Sequence, residues 1–140
     1  MVPTVLLVDD EEGVREALGR ALEQAGYRVI RAVDGRAALD YLKREGDEIH
    51  VVVTDIRMPR FNGYQLVEWM AVWDYQQPTI FMSGYGQAAT TLPGPLLSKP
   101  FPAVVLIAEV RRSFRQAGIS PPVLKPHFQT TPRAKRVQSE

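Results

Sequence analysis

The chain of 140 residues contains no cysteine, which excludes a disulfide framework and catalysis by a thiolate. It also has no apolar run that approaches the roughly 20 residues needed to span a bilayer. The start of the chain, MVPTVLLVDD, lacks the basic region and long apolar stretch of a signal peptide. The formal net charge is only +1, so the whole molecule has no strong electrostatic attraction to nucleic acid or membrane. We therefore expect a cytoplasmic protein with no membrane partner.

The charge is unevenly distributed along the chain. Residues 119–140 hold four basic residues and one acid, for a charge of +3, and the other 118 residues hold 13 basic and 15 acidic residues, for −2. The charged residues of the last segment are Lys125, Arg133, Lys135, Arg136 and Glu140. The segment also contains four prolines, a composition typical of a linker or disordered extension. We therefore predict a folded domain over residues 1–118 and a proline-rich basic tail or linker over 119–140.

The first 118 residues alternate between short apolar runs and segments with helical periodicity. Five runs predict strands: VLLV (5–8), YRVIRAV (27–33), IHVVVTD (49–55), TIFMS (79–83) and PLLSK (95–99). Helices are predicted from Val14 to Ala25, after an N-cap at Asp34, over 63–73 and from about Pro102 to Gln116. Nearly continuous apolar strands separated by amphipathic helices are typical of a parallel sheet that is covered on both faces. Since crossovers are right-handed, the expected fold class is α/β with a doubly wound sheet.

Polar side chains stand at the end of nearly every predicted strand. They are Asp9, Asp10 and Glu11 after the first strand, Asp55 after the third, Ser83 after the fourth and Lys99 after the fifth. Because ligands of doubly wound sheets bind beyond the carboxyl ends of the strands, we expect these groups to converge there. Carboxylates so close together repel one another, and a hard divalent cation such as Mg²⁺ relieves the repulsion. A lysine and a serine beside them suit a phosphoryl group with charged oxygens.

One carboxylate of this group is a candidate nucleophile that forms an acyl phosphate. Asp55 is the best candidate because it ends the strand that looks central. Each residue also has a structural interpretation: Asp9 as the N-cap of the first helix, Asp55 as the residue of an Asx-turn, and Lys99 as a surface lysine. His50 stands at the start of a strand, away from these ends, and we expect it to be inert.

Four motifs carry a family resemblance: LLVDDEEGVREAL, VVVTDIRMPRFNGYQL with its D-x-x-M-P-x-x-x-G pattern, IFMSGYG and LLSKPF. With these motifs, residues 4 to about 117 resemble the receiver domain of two-component response regulators. The resemblance implies a flavodoxin-like fold, with five parallel strands in the order 2-1-3-4-5. It also implies phosphotransfer from a histidine kinase or a histidine phosphotransfer protein to Asp55.

The resemblance further implies a Mg²⁺ site. In it, Asp10, Asp55 and the backbone carbonyl of Arg57 bind the ion, and Asp9 contributes through water. Ser83 matches the switch hydroxyl of the family. Lys99 matches the phosphate-binding lysine, and the bond that follows it, to a proline, resembles one that is cis in the family.

Two departures from the family pattern bear on how the signal leaves the domain. Lys99 stands only sixteen positions after Ser83, and the interval includes the cluster Pro93, Gly94 and Pro95. This interval predicts a shortened or irregular fourth helix, similar to receivers attached to hybrid histidine kinases. Leu96 stands where the family tends to have an aromatic residue. The sequence therefore predicts signal output through a different surface, in a hybrid-kinase module or a stand-alone relay protein.

Three functions remain open at this point. The first is a phosphoacceptor switch or relay that is no enzyme beyond its own phosphotransfer and autodephosphorylation. The second is a protein-binding module of receiver fold that works without phosphorylation. The third is a phosphohydrolase, which needs a second acid beside the nucleophile, whereas Arg57 stands two residues after Asp55. The tail is too short for a DNA-binding helix-turn-helix, so we do not expect nucleic acid as a partner, and monomer and homodimer both remain open.

Overall fold

The computed structural model describes residues 1–84 and 91–124. The strands are β1 (Thr4–Val8), β2 (Arg28–Ala32), β3 (Val51–Asp55), β4 (Thr79–Ser83) and β5 (Leu96–Ser98). The helices are α1 (Glu12–Gln24), α2 (Gly35–Glu45), α3 (Gly63–Val72) and α4 (Ala103–Gln116), and a short 3-10 turn (Gly46–Glu48) follows α2. All five strands of the sequence-based prediction are present.

The strands form one parallel sheet in the order β2-β1-β3-β4-β5. The predicted doubly wound, flavodoxin-like sheet is therefore confirmed. Its register places the strand ends side by side: Val8 pairs with Thr54, and Asp55 pairs with Met82. Asp9 follows Val8 and Asp55 follows Thr54, so these two acids lie side by side at the carboxyl edge of the sheet.

Two apolar layers cover the two faces of the sheet, because successive residues of a strand point to opposite faces. Val5 and Leu7 of β1 belong to one core, with residues of α1 and α4, and Leu6 and Val8 belong to the other, with residues of α2 and α3. All residues of β1, β3 and β4 are buried. Fully burying one large apolar side chain contributes about 1.5–3 kcal/mol, so these layers supply the main stabilisation of the fold.

The helix ends follow from local sequence. The side chain of Asp34 accepts a hydrogen bond from the Ala37 amide at 2.8 Å, which confirms the predicted N-cap of α2. Asn62 and Gln65 form a reciprocal capping box at the start of α3. Gly118, with a φ of 78°, follows the end of α4 and takes the left-handed conformation that favours glycine.

The predicted irregular fourth helix falls largely on residues 85–90, which lie outside the described residues. The described residues on either side, Gly84 and 91–95, contain no helix. Gly94 lies so close to β4 that a Cβ there would collide with the backbone carbonyl oxygen of Thr79. This close approach explains why a residue without a side chain stands between two prolines.

The first residues of the predicted tail lie against the folded domain. The Ile119 amide donates to the Phe114 carbonyl at 2.9 Å, and a guanidinium nitrogen of Arg111 donates to the Pro122 carbonyl. Ile119 and Leu124 also pack against the core beneath α4. The domain boundary after residue 118 stays a prediction, and residues 125–140 lie outside the described part of the chain. None of the described helices has the length and apolar character of a membrane span.

Candidate functional site

Three carboxylates meet at the carboxyl edge of the sheet. Each of Asp9, Asp10 and Asp55 offers an oxygen, and these oxygens lie within 4.8 Å of one another. Asp9 is fully buried and Asp55 is 6% exposed, whereas Asp10 is exposed. The predicted convergence of acids from the ends of two different strands is therefore present.

Lys99 bridges the two buried carboxylates. Its Nζ donates to Asp9 Oδ2 at 2.7 Å and to Asp55 Oδ2 at 2.9 Å, and Glu11 lies 3.8 Å away. The backbone amide of Lys99 donates to the Ser83 carbonyl at 2.8 Å, which fixes the lysine beside the end of β4. The bond to Pro100 is cis, as the resemblance implies. Lys99 is therefore part of the site and not a freely solvated surface lysine.

The carboxylate of Asp9 is held from both sides. Its Oδ1 accepts from the Glu11 amide at 2.9 Å, while Oδ2 faces Lys99. Arg15, on the first turns of α1, donates from Nη1 to the backbone carbonyl of Asp9 at 2.8 Å. The N-cap position of α1 belongs to Glu11, so the alternative interpretation of Asp9 as that cap is wrong. Sequence reasoning missed Arg15, because nothing in its spacing distinguishes it from other helical arginines.

Asp55 makes the contact of an Asx-turn and also lies beside Lys99. Its Oδ1 accepts from the Arg57 amide at 3.3 Å, the contact of an Asx-turn, and its Oδ2 faces Lys99. The Gly63 amide donates to the Ile56 carbonyl at 2.9 Å, and a Cβ at Gly63 would lie 2.6 Å from the backbone oxygen of Asp55. The glycine of the D-x-x-M-P-x-x-x-G pattern is therefore required by close packing of α3 against the end of β3.

The electrostatics of the site favour an additional cation. Burial raises the pKa of Asp55, and the hydrogen bond from Lys99 opposes this rise. Burial alone would lower the pKa of Lys99, but its hydrogen bonds to Asp55 and Asp9 outweigh burial and the pKa is raised. Three carboxylates therefore face a single ammonium group, and hard carboxylate oxygens are the ligands that Mg²⁺ prefers. The residues present thus fit a Mg²⁺ ion.

A cleft of about 600 Å³ adjoins the end of β3 and β4. Its lining residues are Ile56, Arg57, Met58, Pro59, Asn62, Tyr64 and Ser83. Ser83 is 2% exposed and lies at the end of β4, the strand that neighbours β3. The cleft has the size typical of ligand sites. Ser83 and Arg57 both line it, next to Asp55. The roles of the Ser83 hydroxyl and of the Arg57 carbonyl stay predictions.

The fold and the site together define a class: a doubly wound α/β protein with its chemical groups beyond the carboxyl ends of the strands. Comparison with known families is more specific. The family described as response regulator receiver domain matches residues 5–111. The chain belongs to this family, the receiver domains of two-component response regulators.

Individual relatives agree with this assignment. The chain is 30% identical over 123 residues to the response regulator GtcR of Aneurinibacillus migulanus, covering 84% of this chain and 50% of that protein. It is 37% identical over 114 residues to the sensor kinase CckA of Brucella abortus, covering 77% of this chain and 12% of that protein. The chain therefore spans half or less of the length of these two relatives.

A solved structure shows the same fold at similar identity. The response regulator receiver protein from Sinorhizobium medicae superimposes with a TM-score of 0.71 at 30% identity, covering 81% of this chain and 95% of that one. The predicted family and its topology are thus confirmed by both sequence and structure comparison.

Proposed function

We propose that this chain accepts a phosphoryl group on Asp55 from a histidine kinase or a histidine phosphotransfer protein, in the presence of Mg²⁺. It would act as a switch or relay in two-component signalling. The observation that carries the proposal is the contact of Lys99 Nζ with Asp55 Oδ2 at 2.9 Å and with Asp9 Oδ2 at 2.7 Å. A lysine bridging two buried carboxylates, with a third carboxylate nearby, is arranged to receive a charged phosphoryl group.

Each residue of the edge has a role in this proposal. Asp10, Asp55 and the backbone carbonyl of Arg57 would hold Mg²⁺, with Asp9 acting through water. When bound there, the ion would neutralise negative charge on the carboxylates and on the phosphoryl oxygens. These assignments extend the family membership to single residues of this chain. They are supported by the mutual distances of the three acids.

The transfer itself uses groups of this chain. A carboxylate oxygen of Asp55 attacks the phosphorus of the phosphohistidine, the phosphorus–nitrogen bond breaks, and the imidazole leaves with the electron pair. Lys99 exchanges one carboxylate contact for a phosphoryl oxygen, and the Ser83 hydroxyl donates a hydrogen bond to another. Water later cleaves the acyl phosphate and regenerates the carboxylate. Arg57, with its side chain exposed, stands where a phosphohydrolase would need an acid, so we propose no turnover of added substrates.

Intact-mass spectrometry tests the proposal directly. Incubation with Mg²⁺ and acetyl phosphate should add the mass of one phosphoryl group to the wild type and none to Asp55→Asn. Asp40→Asn on α2 is the matched control, because it removes a partly exposed carboxylate elsewhere and should leave the adduct intact. An unmodified wild type would overturn the proposal and favour the phosphorylation-independent binding module.

Thermal unfolding tests the metal separately. At a Mg²⁺ concentration ten times its Kd, binding to the folded state should stabilise the wild type by about 1.4 kcal/mol. Asp10→Asn should lose most of this gain while folding normally without metal, since its side chain is exposed. Equal stabilisation of both proteins by Mg²⁺ would remove Asp10 from the proposed metal site.

A further inference from the structure

The surface formed by α2 and α3 exposes both tryptophans of the chain. Trp69 and Trp73 are each 43% exposed, and their rings meet edge to face with centroids 6.2 Å apart. Val72 beside them is 73% exposed. On the surface of a globular protein, clustered apolar side chains mark an interaction site more often than single exposed apolar side chains do. None of the groups proposed for phosphotransfer belongs to this cluster.

A small groove lies between these rings and α2. We call it the tryptophan groove, and it is lined by Arg36, Leu39, Lys43, Phe61, Trp69 and Trp73. Its volume is about 180 Å³, below the range of roughly 300–1,000 Å³ that is typical of small-molecule pockets. The buried Leu39 and the half-buried Phe61 give it apolar walls. The groove therefore fits one apolar side chain of a partner.

The polar part of the groove is entirely cationic. Arg36 and Lys43 are both exposed, and no acid belongs to the lining. They stand seven residues apart on α2, about 10.5 Å along the helix axis. Two residues three positions apart on an extended peptide are separated by about 10 Å. Two acidic side chains three positions apart, one on either side of an apolar anchor, would consequently reach both cations.

We propose that the tryptophan groove is a docking site for an acidic segment of a partner protein. One apolar side chain of the segment fills the groove, and flanking carboxylates pair with Arg36 and Lys43. This role goes beyond phosphoacceptance and does not depend on it.

Other occupants fit less well. One face of Trp73 is covered by the Lys43 ammonium, 4.3 Å from the ring centroid, and the two indoles are not parallel, so the site is a poor stacking platform for nucleic-acid bases. The chain's own tail is basic, with +3 over 119–140, and would be repelled by the two cations.

Intrinsic fluorescence provides a site-specific test, because the chain has no tryptophan outside the groove. The probe is a blocked twelve-residue peptide with one central leucine, an aspartate one position before it and an aspartate two positions after it, so that the two acids stand three positions apart. Titration into the full chain should give a saturable shift of the emission to shorter wavelength. Arg36→Glu should weaken binding about fivefold, the effect of losing and reversing a partly exposed ion pair. Replacing the peptide's leucine by alanine should weaken it about tenfold.

Matched controls make the test decisive. Arg20→Glu changes the net charge equally from an exposed position on α1, on the other face of the sheet, and should leave the affinity unchanged. Asp55→Asn should also bind normally, which separates this proposal from phosphotransfer.

Three results would overturn the proposal. The first is no emission change with up to about 1 mM peptide, the concentration that corresponds to about −4.1 kcal/mol of binding. The second is tighter binding of single-stranded oligothymidylate than of the peptide. The third is a concentration-dependent doubling of mass in sedimentation that Arg36→Glu abolishes, since the groove would then bind a second copy of the chain.

Discussion

The amino and carboxyl ends of the neighbouring strands β1 and β3 differ sharply in how their buried polar groups are paired. At the amino end, the Thr4 amide donates to Nδ1 of His50 at 3.0 Å, and the His50 amide donates to the Thr4 carbonyl at 3.0 Å. At the carboxyl end, the carboxylates of Asp9 and Asp55 share one ammonium group. The first end is neutral and satisfied within the chain, whereas the second carries excess negative charge. The polar groups at the amino end stabilise the fold. Those at the carboxyl end lower its stability and form the candidate site.

At the amino end, Thr4 and His50 make further contacts within the chain. Thr4 is 1% exposed, and its hydroxyl donates to the Val2 carbonyl at 2.8 Å. The imidazole of His50 also packs near the ring of Phe114, with centroids 5.6 Å apart. His50 therefore acts as a backbone-like acceptor that extends the pairing of β1 with β3 by one bond.

The largest effect is expected for Lys99→Ala, which leaves Asp9 and Asp55 facing each other without a cation. Removing one partner of a buried ion pair costs several kcal/mol, and we expect a loss of about 3 kcal/mol because Lys99 is partly exposed. Urea unfolding at pH 7 without divalent metal measures it. The exposed control Arg20→Ala should change the unfolding free energy by less than about 0.5 kcal/mol.

The double variant Lys99→Ala with Asp55→Asn distinguishes charge from packing. If repulsion between carboxylates dominates, the second substitution restores much of the lost stability. An unchanged stability of the double variant relative to Lys99→Ala would mean that the lysine stem, and not its charge, stabilises this edge.

A smaller loss is expected at the neutral end. His50→Phe leaves the buried Thr4 amide without its acceptor, which should lower the unfolding free energy by about 1–2 kcal/mol. His50→Asn is the matched variant, because its side-chain oxygen stands close to the position of Nδ1, and it should lose less. Equal losses for the two variants would show that ring packing, and not the hydrogen bond, is what His50 provides.

The sequence predicted the charged end better than the neutral one, for a physical reason. Acids directly after apolar runs are visible in the sequence, and parallel topology brings such strand ends together, so Asp9, Asp55 and Lys99 could be placed without coordinates. The role of His50 depends on the register between β1 and β3, which no local pattern records. That His50 is inert in the chemistry of the site stays a prediction, and the structure adds that it accepts a hydrogen bond from Thr4 at the start of a strand pair.

The tryptophan groove and the tail illustrate the same limit. The helix predicted over 63–73 places Leu66, Val67, Met70 and Trp73 on one side, but α3 ends at Val72, and Trp73 is 43% exposed. Proline and basic composition predict a tail or linker over 119–140, which stays a prediction, and Leu124 in its described part packs against the core. At α3 the end of the helix overrides the local pattern, and at Leu124 a long-range contact adds what no local pattern records.

A third prediction concerns the trade between stability and function at the charged end. Asp55→Asn should raise the unfolding free energy by about 1 kcal/mol, because burial raises the pKa of Asp55 and so disfavours its ionised form in the folded state. The same variant should lose the phosphoryl adduct. Urea unfolding without metal at pH 7 provides the measurement. A destabilised variant would indicate that the contact with Lys99 outweighs the cost of burying the charge.

The smallest effect is a pH dependence at the neutral end, best measured in the Asp55→Asn background, which removes the buried acid whose pKa is raised. Burial lowers the pKa of His50 below its usual 6.5, and the bond from Thr4 requires an unprotonated Nδ1. The unfolded chain therefore binds the proton more readily than the folded one, so the contribution of neutral His50 is fully present above pH 6.5. It is lost as the pH falls from 6.5 through the lowered pKa of the folded state. Unfolding free energies compared with His50→Asn from pH 7.5 to 5 should converge or cross as the pH falls, and a difference that stays constant would show that the imidazole is not held neutral.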